Sequence, residues 1–260
     1  MRKQKFKGGS TNMAKYKIGI TEAGDAGLDL SWEPKLDTVD GVVLVTKHIT
    51  PSFYDAALRN QDKAILHATI TGYGGTLVEP KVPLPKHQLA NLVSLARAGF
   101  PRERIVVRID PIIPTPGGLD RARKVFEMAL EKQFSRFRIS VIDMYPHARD
   151  RFKRAGLPLP YGPKGFSPDM FQLAAVDALL SNIKSQAPHV RIESCAEPGL
   201  KVPIRCGCIS SYDLQLLGLD PADVDSKGPQ RQSCMCYSGK QELLSHKTQC
   251  GHGCLYCYWR

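Results

Sequence analysis

Residues 105–145 read IVVRIDPIIPTPGGLDRARKVFEMALEKQFSRFRISVIDMY. The stretch opens and closes on apolar, β-branched runs, 105–113 and 137–145, of the kind that form buried strands. Between them Ala122, Val125, Phe126, Ala129 and Leu130 recur at helical spacing and share one face. Strand, helix and strand in this order predict two parallel strands joined by a right-handed crossover. Strands that are apolar almost throughout predict a sheet covered or closed on both faces.

The same grammar holds on either side. Runs at 16–23, 42–49, 64–73 and 190–196 bring the strands to six. Leu89, Leu92, Val93 and Ala96 form a second helical face that stops at Gly99. A third helix is expected with Ser167 as its cap, Pro168 in its first turn and Met170, Ala174, Ala178 and Leu179 as its apolar stripe. The fold class is therefore α/β. A doubly wound dinucleotide sheet would need a GxGxxG turn after its first strand, and Thr21-Glu22-Ala23-Gly24-Asp25-Ala26-Gly27 has none. The expected architecture is a partial (β/α)6 TIM-type barrel over 15–200. A disordered basic leader is expected at 1–14, and a cysteine-rich, cluster-binding segment at 201–260 packed on the barrel mouth.

Composition sets outer limits. The 260 residues are 42% hydrophobic and 23% charged, enough for one large globular domain or two small ones. No run reaches the roughly 18 apolar residues of a membrane span, and no apolar run follows the basic N-terminus as in a signal peptide, so a cytoplasmic protein with no membrane partner is expected. The net charge is +11, but Arg2, Lys3, Lys5, Lys7, Lys15 and Lys17 supply six of those charges before the first acid, Glu22. The rest of the chain carries only +5, a weak argument for a nucleic-acid partner.

The cysteines are more informative. All eight lie in the last 66 residues: Cys195, Cys206, Cys208, Cys234, Cys236, Cys250, Cys254 and Cys257. A cysteine-free body with a cysteine-dense end reads as metal binding rather than as a disulfide scaffold. Cys250, Cys254 and Cys257 form a C-x3-C-x2-C run, with Tyr256 just before the last thiol. Three such thiolates can hold three irons of a 4Fe-4S cluster and leave the fourth open to an exogenous ligand. The alternative is a structural zinc, with Cys234, Cys236 or His252 completing a tetrahedron. Cys206/Cys208 and Cys234/Cys236 are C-x-C pairs, each close enough to share one metal. With Cys195 they form a possible second site.

In a barrel the chemistry sits where strands end. Polar residues stand at all six ends: Glu22 and Asp25; Lys47 and His48; Thr69, Thr71, Gly72 and Tyr73; Arg108 and Asp110; Ser140, Asp143 and Tyr145; Cys195 and Glu197. After the fifth strand, His147, Arg149, Arg151, Lys153 and Arg154 face a single acid, Asp150, which fits either a solvated charged helix or a phosphate-holding loop.

The run CGHGCLYCYWR at 250–260 resembles the cysteine signature of the radical S-adenosylmethionine superfamily, in particular its spore photoproduct lyase-like branch. VTK at 45–47, TITGYGG at 69–75, EPKVP at 79–83 and RIDPIIP at 108–114 resemble that branch's successive strands in order. TITGYG, RIDPI, ISVIDMY, SCAEPG and QRQSCMCYSG with the terminal CGHGCLYCY are similar, over roughly 16–260, to an uncharacterised bacterial and archaeal family. That family has a C-terminal cysteine cluster similar to the radical enzymes' N-terminal one. In the superfamily the cysteine loop follows the first strand, so here the tail would have to return to the barrel mouth. The GGE of many members has no counterpart, since Gly74-Gly75 is followed by Thr76.

The resemblance implies that Cys250, Cys254 and Cys257 hold a 4Fe-4S cluster that cleaves S-adenosylmethionine to a 5′-deoxyadenosyl radical. It implies Lys47, Thr69, Thr71, Gly72, Arg108, Ser140 and Tyr256 as cofactor-binding, and Tyr73, Asp110, Asp143 and Tyr145 nearer a nucleic acid or nucleotide substrate. An electron donor such as flavodoxin or ferredoxin is implied too. One rival is a non-catalytic, iron-sulfur- or zinc-stabilised nucleic-acid-binding barrel. Another is a metal-dependent hydrolase using Asp110, Asp143 and Glu197, disfavoured because only His48 and His67 lie in or next to a strand.

Overall fold

The structure is a computed structural model that describes residues 14–225, 235, 237–245 and 250–258. One parallel sheet carries β1 (Ile18–Ile20), β2 (Gly41–Thr46), β3 (Ala64–Thr69), β4 (Ile105–Ile112), β5 (Arg136–Val141), β6 (Arg191–Cys195), β7 (Ile204–Cys206) and β8 (Lys240–Glu242). Their spatial order is β7-β6-β5-β4-β3-β2-β1-β8, so chain order is kept except that β8 pairs with β1. The strands between β1 and β7 follow the βα rule, with α1 (Pro51–Arg59), α2 (Pro85–Arg97), α3 (Pro116–Glu131), α4 (Pro146–Arg154) and α5 (Met170–Gln186) as crossovers, and α6 (Ser211–Leu216) after β7. Thr115 caps α3 by accepting from Gly118 N at 3.2 Å, just after the strand that ends at Ile112.

Alternation along each strand builds two cores. Val42, Leu44, Ala64, Leu66, Ile105, Val107, Phe137 and Ile139 pack outward on the helices. Ile18, Ile20, Val43, Ile65 and Val106 point inward and meet Ile209 and Leu214 beyond β7, and Tyr237 just before β8. The sheet is curled, and segments next to its two edge strands approach each other: a Cβ on Gly207, after β7, would stand 2.3 Å from the carbonyl of Met235, before β8. Higher on the inner face the residues become polar, with Arg108, Asp110 and Ser140 replacing aliphatic side chains.

The six expected strands are present, and among the described residues the sheet has eight. β7 and β8 are three residues each and partly exposed, Ile204 by 48%, so neither shows an apolar run. Both come from the 201–260 segment and extend the barrel's own sheet. The start of α5 also differs from expectation. Asp169 is the cap, because Gln172 can complete a capping box with it, and the buried face is Val176, Leu180 and Ile183 while Met170 is 74% exposed. Apart from Ala14, the expected leader lies outside the described residues. Among the described residues no helix is long and apolar enough to cross a membrane.

Candidate functional site at the barrel mouth

The C-terminal ends of β1 to β3 present a polar cluster that closes on the cysteine loop. Asp25, buried after β1, accepts from Gly27 N at 2.8 Å, Thr46 Oγ1 at 2.6 Å and Lys47 N at 2.7 Å, and pairs with His252 Nε2 at 2.7 Å. Burial opposes its ionisation, but His252, Thr46 and Lys47 together hold the carboxyl below the usual range. Lys47 Nζ donates to Glu79 Oε1 at 2.9 Å and to Tyr256 Oη at 2.6 Å. Glu79 also accepts from Thr71 Oγ1 at 2.7 Å and from the Tyr256 hydroxyl. Burial again works against this carboxylate, and the ammonium of Lys47 overcomes it. Gly72 makes the turn after Thr71 with φ of +87°, where a Cβ would press on the Arg121 backbone and side chain.

Three ties therefore fasten the loop 250–258 over the strand ends. His252 reaches β1's loop, Tyr256 reaches Lys47 and Glu79, and Arg151 of α4 donates to the carbonyls of Leu255, at 2.7 Å, and Cys257. Leu255 N adds a bond to Val78 O at 3.0 Å. Cys254 is buried there, its thiol pushed up to about 11 by burial against the pull of Lys47, with Cys250, Cys257 and Glu79 near enough to raise it further. Through these bonds His252, Leu255, Tyr256 and Cys257 lie against the loops that follow β1 and β3 and against α4. Among the described residues, however, no three His, Cys, Asp or Glu side chains converge at metal-holding distances. Thiolates are the right kind of donor for an iron-sulfur group, and Cys250 and Cys257 are within electrostatic reach of Cys254 without closing on a common centre.

A second polar group adjoins the first. Arg108 Nε donates to Asp110 Oδ2 at 2.6 Å, and the Ser140 hydroxyl donates to the other oxygen of the same carboxylate. Lys47 and Tyr256 are within electrostatic reach of Asp110. Glu197 accepts from Val141 N at 2.8 Å, and its carboxyl is pushed up to about 8 by burial and by the charges of Asp143 and Asp110. Tyr145 stacks on His147 with ring centroids 5.8 Å apart and also meets the rings of Phe166 and Tyr258 at 5.1 and 6.2 Å.

Of the expected site residues, Lys47, Thr71 and Tyr256 stand together, as do Arg108, Asp110 and Ser140. Thr69 is buried at the end of β3. Tyr73 lies in a small apolar cluster with Val78, Ile113, Ile142, Met144 and Phe152, under the Arg121 guanidinium. Glu79 was not foreseen as a site residue, and a lone acid between Val78 and Pro80 gives little signal. Two of the basic residues of α4 are occupied within the chain: Arg149 donates to the carbonyls of Met144, Lys164 and Gly165, and Arg151 to the cysteine loop. In this structure both arginines tie loops together.

The remaining cysteines separate in an unexpected way. Cys206 turns away from Cys208: its thiol bonds Ser194 O at 3.6 Å and burial pushes it up to about 12. Cys208 instead faces Cys195, with sulfurs 3.7 Å apart. Cys234 and Cys236 lie outside the described residues.

Comparison with known proteins gives a family and no activity. The family described as Domain of unknown function (DUF1848) matches residues 30–259. No curated protein matches. Among solved structures, the type I 3-dehydroquinate dehydratase of Clostridium difficile, crystallised with covalently modified comenic acid, is similar at 11% identity. That match covers 75% of this chain and 86% of the dehydratase, and its TM-score of 0.30 is too low to carry an argument.

Proposed function

The chain belongs to the DUF1848 family, and from that premise we propose that it is an iron-sulfur enzyme of the radical S-adenosylmethionine kind, with Cys250, Cys254 and Cys257 as the thiolates for a 4Fe-4S cluster. The observation that carries the reading is topological. In the superfamily the cysteine loop follows the first strand. Here it follows β8, an edge strand paired in parallel with β1, and its backbone is tied over the strand ends. The strand-then-cysteine-loop order is thus kept, with the unit moved to the other end of the sequence.

Bound there, the cluster would supply the electron that cleaves S-adenosylmethionine to methionine and a 5′-deoxyadenosyl radical. The chain's own residues would do the rest. Lys47, held by Glu79, offers an ammonium beside Cys254 for a carboxylate ligand. Arg108 and Ser140 fix Asp110 as an acceptor facing the barrel axis, fit to orient a hydroxyl or amine. Tyr145, Phe166 and Tyr258 offer aromatic faces, and Lys153 and Arg154 add positive charge. Together these favour a nucleotide or nucleic acid as the substrate class. A reduced cluster also calls for a small electron donor such as flavodoxin or ferredoxin, and for the cytoplasm.

The test is anaerobic reconstitution with iron and sulfide, followed by reduction in the presence of S-adenosylmethionine. A paramagnetic signal that shifts on adding the cofactor, together with release of 5′-deoxyadenosine, is expected. Protein that takes up zinc and no iron under the same treatment would overturn the reading in favour of a zinc-stapled binding barrel.

A further inference from the structure

We propose a second metal site, separate from the terminal cysteine loop, in which Cys195 and Cys208 together bind one thiophilic divalent ion of the zinc class. Their sulfurs are 3.7 Å apart. A disulfide would need about 2.05 Å. Two thiolates on a tetrahedral ion with metal-sulfur bonds of about 2.3 Å stand about 3.8 Å apart, which is the spacing seen here.

The backbone holds both sulfurs in place. Cys195 ends β6, and the next residue, Ala196, has φ of +59°, a left-handed conformation that a residue with a Cβ adopts only when its surroundings impose it. On the other side, Arg138 donates to the carbonyls of Gly207 and Cys208 at 2.9 and 2.8 Å, and to Glu193 of β6 at 2.7 Å. One guanidinium therefore fixes the turn that carries Cys208 against the strand that carries Cys195. Gly207 fits that turn because any side chain would strike the carbonyls of Met235 and Ile209. Cys206, one residue before the turn, is directed to Ser194 O and takes no part.

Among the described residues these two thiols supply half of a tetrahedron, and its other two positions go to further donors or to solvent. The site differs from the C-x-C reading of the sequence, which pairs Cys206 with Cys208. It stands independently of the iron-sulfur proposal, since none of Cys250, Cys254 or Cys257 belongs to it.

The test is anaerobic titration of the full chain with cobalt(II), then zinc displacement, read by sulfur-to-cobalt charge-transfer absorption. The band is expected to persist in the Cys250→Ser/Cys254→Ser/Cys257→Ser variant and in Cys206→Ser. Added to that triple-variant background, Cys195→Ser/Cys208→Ser should abolish the band or lower its affinity by at least about tenfold. No band in the triple variant, or a band that the further Cys195/Cys208 substitutions leave unchanged, would overturn the proposal. Differential alkylation of the unsubstituted protein guards against misfolded variants. Zinc should slow iodoacetamide labelling of Cys195 and Cys208, whereas equal labelling with and without zinc, or recovery of the two as a disulfide-linked peptide pair after anaerobic preparation, would count against the site.

Discussion

The barrel buries polar networks at both ends, and they differ in what closes them. At the base, Arg136 pairs with Asp213 at 2.7 Å, and Arg138 bridges Glu193 at 2.7 Å and Asp213 at 3.3 Å. The guanidinium groups of Arg136 and Arg191 lie over the Tyr212 ring at 4.7 and 4.4 Å. All of these groups belong to β5, β6 and α6, so the base is complete within the barrel and seals it. At the mouth, Asp25, Lys47 and Glu79 belong to the barrel, but His252 and Tyr256 come from the terminal loop. Like charges and like burial thus serve different ends: the base network links elements of the barrel, and the mouth network ties the loop 250–258 to it.

The largest effect should come from the base. Arg138→Met leaves Glu193 and Asp213 buried with less counter-charge, and removing one partner of such a network costs about 3–5 kcal/mol. Chemical denaturation should show that loss, and a change below about 1 kcal/mol would mean that the base is no more rigid than an exposed ion pair. The same network predicts a pH dependence. Burial works against the Asp213 carboxylate, yet Arg138 and Arg136 hold its pKa well below the usual carboxylate range. A carboxyl depressed on folding adds stability that is present above its unfolded pKa of about 3.9 and is lost as pH falls towards the folded value. Asp213→Asn should therefore be less stable at neutral pH and have a flatter acid limb than the parent, and parallel limbs would argue against the assignment.

Mouth substitutions should spare the barrel and loosen the loop. Asp25→Asn weakens the tie to His252. With a charge-assisted hydrogen bond worth about 1.5–3 kcal/mol, alkylation of Cys254 should accelerate about 10–100-fold while circular dichroism stays unchanged. Global unfolding in this variant would erase the distinction between the two ends. Tyr256→Phe is the mildest change, since it removes one hydroxyl between Lys47 and Glu79 that leave each other still paired. About 1 kcal/mol, or a several-fold gain in Cys254 labelling, is expected. An effect as large as that of Asp25→Asn would make Tyr256 the principal anchor.

The body was legible in the sequence because its signals are local and repeated. The apolar runs around Val43, Leu66, Val107, Ile139 and Ile192 mark buried strands wherever they occur. β7 and β8 were not legible: three-residue strands with exposed positions owe their place to pairing with β6 and β1. The cysteine signature marked 250–257 as a candidate metal site, but gave no sign that Asp25 and Glu79 would receive its loop, because those contacts span 227 and 177 residues. Arg149 and Arg151 were ambiguous for the converse reason. A basic run looks the same in sequence whether its arginines meet phosphates or the chain's own carbonyls, and only the neighbouring backbone decides.

The pairing of β8 with β1 has a consequence for the order in which the molecule is made. Chains emerge from the ribosome from the N-terminus onward, so β1 through β7 exist before any of the thiols at 250, 254 and 257 has been synthesised. The sheet can curl and its base can close while β1 is still an unpaired edge. Asp25, Lys47 and Glu79 face water during that interval, and the terminal segment docks on a scaffold already built. The metal proposed for the loop 250–258 could be loaded only after translation has passed residue 257, once β8 has been made.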